Sequence, residues 1–177
     1  MEEATKILNE EHEGIKRVLA LIEKARERVE KGQSLPLAFI PEVLDFIKTF
    51  ADTCHHGKEE GVLFPLLEKR GIPKENGPIG MMLMEHNTGR DNVKTAGEAF
   101  QNGEIKESLD HLLDYANLLY GHIDKENNIL YPMGNEVLTP ADQEYLKKEF
   151  DKVEREKIGP GRHEAYHQMI EKWEKTL

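Results

Sequence analysis

The feature that most narrows what this chain can become is a phrase that occurs twice. His55-His56-Gly57-Lys58-Glu59-Glu60-Gly61-Val62-Leu63-Phe64-Pro65 and His122-Ile123-Asp124-Lys125-Glu126-Asn127-Asn128-Ile129-Leu130-Tyr131-Pro132 align on their prolines. Each holds His-x-x-x-Glu, then an apolar triplet, then proline. On a helix, residues four apart face the same way, so an imidazole and a carboxylate at this spacing reach one metal ion or two adjacent ones. The same spacing twice is far less accidental than once.

Hydrophobic periodicity places both phrases on helices. Leu8, Ile15, Leu19 and Ile22 mark a first helix from about residue 3 to 31, stopped by Gly32. Leu44, Ile47, Ala51, Val62 and Leu66 mark a second from about Leu37 to Arg70, with Pro65 a candidate kink. Ile79, Met82, Val93 and Phe100 mark a third, ending near Asn102-Gly103. Leu112, Tyr115, Leu119, Ile129 and Met133 give a fourth from about residue 104 to 133. Short loops between four such helices favour antiparallel neighbours. The fold expected is all-α: an antiparallel up-down-up-down four-helix bundle over residues 1–136, with a C-terminal two-helix extension over 137–177 packing on it. In that extension Thr139-Pro140 reads as an N-cap with proline at the first helical position. Ile158-Gly159-Pro160-Gly161 breaks it, and Tyr166, Ile170, Trp173 and Leu177 form the stripe of the last helix.

The stripes carry histidines. His122 and Glu126 fall between Leu119 and Ile129; His12 continues the stripe of Leu8 and Ile15, and His86 that of Ile79 and Met82. His55 and Glu59 share the stripe of Ala51 and Val62. His12 and His86 lie about two turns after their helix starts, and His55 and His122 some turns before their helix ends, so an antiparallel bundle brings all four to one level. Any one of them alone would be an ordinary core histidine with a hydrogen-bonded nitrogen. Six buried groups at one height, His12, His55, Glu59, His86, His122 and Glu126, are satisfied together by shared metal. Imidazole and carboxylate suit Fe, Mn or Zn rather than Ca or Mg. With Cys54 the only cysteine, neither an iron–sulfur site nor a disulfide is available. Six ligands on four helices, two of them carboxylates able to bridge, fit two metals better than one and leave open positions.

His12, His55-x-x-x-Glu59, Glu85-His86 and His122-x-x-x-Glu126 together resemble the His-His-Glu pattern of the hemerythrin-like cation-binding family, over Met1 to about Glu136. The resemblance implies two Fe ions with a bridging oxo or hydroxo group, with Zn or Mn as possible replacements. It implies a protein that binds or handles oxygen, nitric oxide or peroxide. Its alternatives are a peroxide or nitric oxide reductase, or an iron- or oxygen-sensing module. The oxygen carriers of the family have a further histidine four residues after the third-helix one, where this chain has Arg90.

Three ambiguities stand at this stage. His56 with Glu60 is a rival register to His55 with Glu59. His163 and His167, four apart in the last helix, are candidates for the ligand missing at Arg90. Glu85 and Glu11, each beside a histidine, read as solvated charges. A net charge of -10 disfavours nucleic acid and anionic membrane as partners. The absence of a long apolar run or a basic-then-apolar N-terminus points to a cytoplasmic location. No nucleotide loop or flavin fingerprint occurs, so any electrons must come from a donor protein.

Overall fold

A computed structural model describes residues 3–177, and among them the chain is all-α, with no strand. Helix α1 (Thr5–Glu30) is followed by α2 (Phe39–Phe46), which runs on through two π-helical segments, π1 (Ile47–His56) and π2 (Glu59–Leu63), into α3 (Phe64–Lys69). Helix α4 spans Pro78–Gln101. Helix α5 (Ile105–Lys125) likewise continues through π3 (Glu126–Leu130) into α6 (Tyr131–Val137). Helices α7 (Pro140–Lys157) and α8 (Arg162–Thr176) complete the chain. Helix α1 stops where Gly32 takes a left-handed φ of 71°, letting the Gln33 amide turn back to the Arg28 carbonyl at 3.0 Å. Helix α7 starts with a capping box: Thr139 accepts from the Asp142 amide, Asp142 accepts from the Thr139 amide, and Pro140 follows.

The buried apolar side chains form two clusters. One gathers Ile15, Leu19, Ala51, Val93, Leu112 and Leu119 with Trp173 of α8. The other gathers Leu8, Leu63, Leu67, Ile79, Met82 and Leu130 with Leu146 and Phe150 of α7. Each long helix passes from one cluster to the other, and at the crossing each carries a histidine: His12 between Leu8 and Ile15, His55 between Ala51 and Leu63, His86 between Met82 and Val93, His122 between Leu119 and Leu130. Along α1 and α4 the passage runs in one sense, and along the other two in the reverse. The α4–α5 contacts show the same reversal: Ser108 Oγ donates to the Ala96 carbonyl at 2.8 Å, while His86 meets His122. The extension packs on this body, with Trp173 edge-on to Phe39 at 5.3 Å and Tyr166 edge-on to Phe46 at 5.3 Å. Arg70 reaches Asp142 at 2.8 Å.

The apolar stripe departs from the sequence expectation in the same way in both repeats. In place of Val62 and Leu66, which are half-buried, Leu63 and Leu67 fill the core. In place of Ile129 and Met133, which are 52% and 38% exposed, Leu130 and Tyr131 do so. The cause is the π-turn ahead of each proline. Pro65 has no N–H to give the Gly61 carbonyl, and Pro132 none for Asn128; in an α-helix their rings would press on those carbonyls. An i→i+5 turn relieves the clash by adding a residue to the turn, and the stripe slips by one position. The second helix also starts later than expected: Leu37 lies outside it and is 90% exposed.

Candidate metal centre

The layer between the two apolar clusters holds seven buried ligand-type residues in two overlapping groups. His12, His55, Glu59 and Glu126 form one, and His56, His86, His122 and Glu59 the other; within each group the ligand atoms lie within 4.8 Å of one another. Glu59 belongs to both. Glu126 also spans them, with one oxygen 3.2 Å from His12 Nε2 and the other 3.2 Å from His122 Nε2. All six residues singled out by sequence periodicity are thus brought together. His56 joins them: the rival registers are both partly used, because π1 turns His55 and His56 to the cluster together. Glu60 does not join the cluster; it accepts from His86 Nδ1 at 2.7 Å and from Arg90 at 2.7 Å. Arg90, at the position of the oxygen carriers' extra histidine, pairs with Asp52 and Glu60. His163 and His167 stand apart from both groups: His163 packs edge-on to Phe50 at 5.3 Å, and His167 is exposed on α8.

The histidines are oriented from behind, in a pattern repeated across the chain. His55 Nδ1 faces Glu11 at 2.8 Å, and His122 Nδ1 faces Glu85 at 2.9 Å. Lys58 binds that same Glu11, and Lys125 binds Glu85. His12 Nδ1 meets Asn127 at 2.7 Å, as His86 Nδ1 meets Glu60. Tyr131 stacks on His12 with ring centres 5.7 Å apart, and Phe64 on His86 at 6.0 Å. Each of these orienting contacts thus has its counterpart at the aligned position of the other half. Glu11 and Glu85 are therefore not the solvated charges expected from sequence: Glu11 is 7% exposed, and the Glu85 side chain 12%. The signals available were the Glu-His doublet before each first histidine and the lysine before each buried glutamate.

With Nδ1 donating outward to an oxygen, each of these four imidazoles turns a lone pair inward at Nε2. His86 Nε2 and His122 Nε2 face one another at 3.0 Å. Two lone pairs at that distance repel unless a cation or a proton lies between or beside them. His12 Nε2, His55 Nε2, Glu59 Oε2 and both Glu126 oxygens are buried with no hydrogen-bond partner. Buried polar atoms left so cost about 1–3 kcal/mol each, more when charged. Converging on one another, they fit a metal pair.

The proton affinities carry the same demand for positive charge. Burial drives His55 well below the usual imidazole range, and lowers His56 as well. On His122 burial is outweighed by the Glu126 and Glu85 carboxylates, and its pKa rises to about 10. Burial opposes the charge on Glu126 too, yet His122 and His12 hold its carboxyl well below the usual range. A proton on His122 thus balances Glu126; a metal cation held in this layer would take that role and release the proton.

An all-helical protein with a buried layer of histidines and shared carboxylates is a cation-binding protein of the carboxylate–histidine class. Residues 3–134 match the hemerythrin HHE cation-binding domain, and the chain belongs to that family. Uncharacterized proteins of Mycobacterium bovis and of two strains of Mycobacterium tuberculosis are each 23% identical to it over 176 residues, covering 96% of this chain and 68% of the relative. No solved structure matches the chain.

Proposed function

We propose that the chain is a di-iron protein that binds or handles oxygen, nitric oxide or peroxide, built as an antiparallel up-down-up-down bundle with the α7–α8 extension docked on it. The observation that carries this reading is the set of partnerless inward atoms around Glu59 and Glu126, arranged as two four-residue groups with a carboxylate in common. His12 and His55 would hold one ion, His56, His86 and His122 the other, and the two glutamates would span them. An iron pair held this way supplies open coordination positions and electrons for a small oxygen- or nitrogen-containing ligand.

The chain's own residues set the conditions for that chemistry. Glu11, Glu85, Glu60 and Asn127 fix the ring tautomers and raise ligand basicity. Tyr131 donates to Glu59 Oε1 at 2.5 Å, holding one lobe of the shared carboxylate and leaving Oε2 for metal. The apolar clusters on either side exclude bulk water. A reductase is the second reading, favoured by a pocket that abuts His56 and His86 and leaves the His12–His55 side covered. Either reading takes electrons from a separate donor protein and places the chain in the cytoplasm. No helix among the described residues is long and apolar enough to cross a membrane.

Metal analysis with an optical spectrum in air tests the reading. About two irons per chain and near-ultraviolet absorption of an oxo- or hydroxo-bridged ferric pair are expected. A mononuclear iron spectrum lacking the absorption of a bridged pair, or a colourless zinc or manganese protein from iron-replete cells, overturns it.

A further inference from the structure

The pocket beside His56 and His86 has a volume of about 390 Å³ and runs along α4 toward Gln101. A diatomic ligand or peroxide needs space on the order of one or two waters, at ~30 Å³ each. The pocket is far larger than the centre's small ligands require. It exists because α4 presents no side chain at two positions on the same face, Gly89 and Gly97. A Cβ on Gly89 would stand 3.3 Å from the Tyr115 ring, and one on Gly97 3.7 Å from Lys48 Nζ. Between them Val93 faces Ile47 and Leu119, an apolar midsection.

Most polar groups in this wall are accounted for within the protein. Arg90 binds Asp52 and Glu60, Asp52 also faces His56, and Glu85 binds His122 and Lys125. Two are not. Tyr115 is 2% exposed, and its hydroxyl is buried with no hydrogen-bond partner. The hydroxyls of Tyr131 and Tyr166, by contrast, both donate to carboxylates. At the other end of the pocket the Lys48 ammonium lies over Gly97, and no carboxylate among the described residues pairs with it. Tyr115, buried, and Lys48, exposed, mark the ends of the apolar stretch. Gly89 and Gly97, against which they lie, are eight residues apart on α4, about 12 Å along the helix axis. That is the span of an extended chain of about eight carbons with its end groups.

We propose that this pocket binds an aliphatic carboxylate bearing a second oxygen function at its far end, such as a hydroxyl or hydroperoxide. The carboxylate meets Lys48, the chain lies on Val93 and Leu119, and the far oxygen accepts from Tyr115 beside His56 and His86. At the Lys48 end the one lining carboxylate, Glu98, faces Lys94 at 4.0 Å; at the Tyr115 end Arg90 is already bound by Asp52 and Glu60, and the opposite orientation would set the carboxylate beside Asp52 and Glu85, where like charge repels it. The proposal rests on the di-iron reading only for the nature of the neighbouring centre, since its binding determinants lie outside the metal ligands.

The test is calorimetric titration of the metal-loaded protein with ω-hydroxyoctanoate, octanoate and octane-diol, with iron content and helicity measured on the same samples. The wild type should bind ω-hydroxyoctanoate most tightly. Lys48→Gln should weaken it about tenfold and leave octane-diol unchanged; Tyr115→Phe should abolish its advantage over octanoate. Gly97→Val should block all three probes while iron stays at the wild-type level. Absence of probe binding in wild type, or equal affinities in wild type and Lys48→Gln and Tyr115→Phe, overturns the proposal. A protein holding two irons yet ignoring the probes overturns the pocket alone; one that binds the probes without a metal pair overturns the di-iron reading alone.

Discussion

The half of the chain formed by α1 through α3 and the half formed by α4 through α6 orient their histidines by the same means and diverge one shell further out. Glu11 with Lys58 backs His55 as Glu85 with Lys125 backs His122. But Lys58 is fully buried and reaches on to Glu154 of α7 at 2.8 Å, whereas the Lys125 side chain is 32% exposed and stops at Glu85. Tyr131 places a hydroxyl on Glu59 where its counterpart Phe64 has none. His56 adds a ring nitrogen on one side, while its counterpart Ile123 is a core residue. The repeat fixes the inner layer; outside it, Lys58 of one half is locked to the extension while Lys125 of the other stays at the surface, and a pocket between the halves reaches the layer at His56 and His86. Two ions held in the proposed way would therefore meet unequal surroundings.

Substitutions at matched positions test that contrast. The largest effect is expected at the residue common to both groups: Glu59→Ala should remove most bound metal from both halves, while Asp124→Ala, which alters an exposed side chain, should leave iron content near wild type. Retention of one full equivalent in Glu59→Ala would show that the halves bind independently. Next, Lys58→Met leaves Glu11 buried without its cation and should cost about 3–5 kcal/mol in urea unfolding. Lys125→Met breaks a partly exposed pair and should cost under about 1 kcal/mol. Equal losses would erase the distinction between the buried and the surface lysine.

Smaller effects belong to the extension. Arg70 and Thr139 hold the Asp142 carboxyl at about 2, below the ordinary 3.8. A depressed carboxylate stabilises the fold above its unfolded pKa, and that share fades as pH falls from about 4 toward 2. Wild type should therefore lead Asp142→Asn in Tm by up to about 4 °C near neutrality, with the gap narrowing only in that acid window. A gap that is constant with pH would assign the contribution to shape rather than charge. Smallest of all, replacing both His163 and His167 by Ala should leave iron content and spectrum unchanged, because neither lies in a ligand group. A changed spectrum would return them to the centre.

Helix positions and the inward histidines were legible because both follow from one period. Leu8, His12, Ile15 and Leu19 point the same way whatever surrounds them. The register beyond Glu59 and Glu126 was not, since a stripe drawn at constant pitch cannot include a π-turn; Pro65 and Pro132 signalled a disturbance without its sign. For the same reason periodicity faces His55 and Glu59 inward but leaves His56 out, since a constant pitch does not turn adjacent residues the same way as π1 does. Glu11 and Glu85 were misread because a carboxylate beside a ligand is usually exposed. Their burial depends on Lys58 and Lys125, which come from other helices; the repeated Glu-His doublet and Lys-Glu pair carry that signal only when the two halves are compared.

Glu59 serving both groups has a thermodynamic corollary. In the proposed metal pair, the first ion bound would aim the Glu59 carboxylate at the second position, so part of the ordering cost of the second ion would already have been met. Linkage makes this reciprocal: loss of either ion weakens the other by the same factor. Chains carrying a single ion would then be scarce at every stage of loading, and an average of one metal per chain would describe a mixture of full and empty molecules.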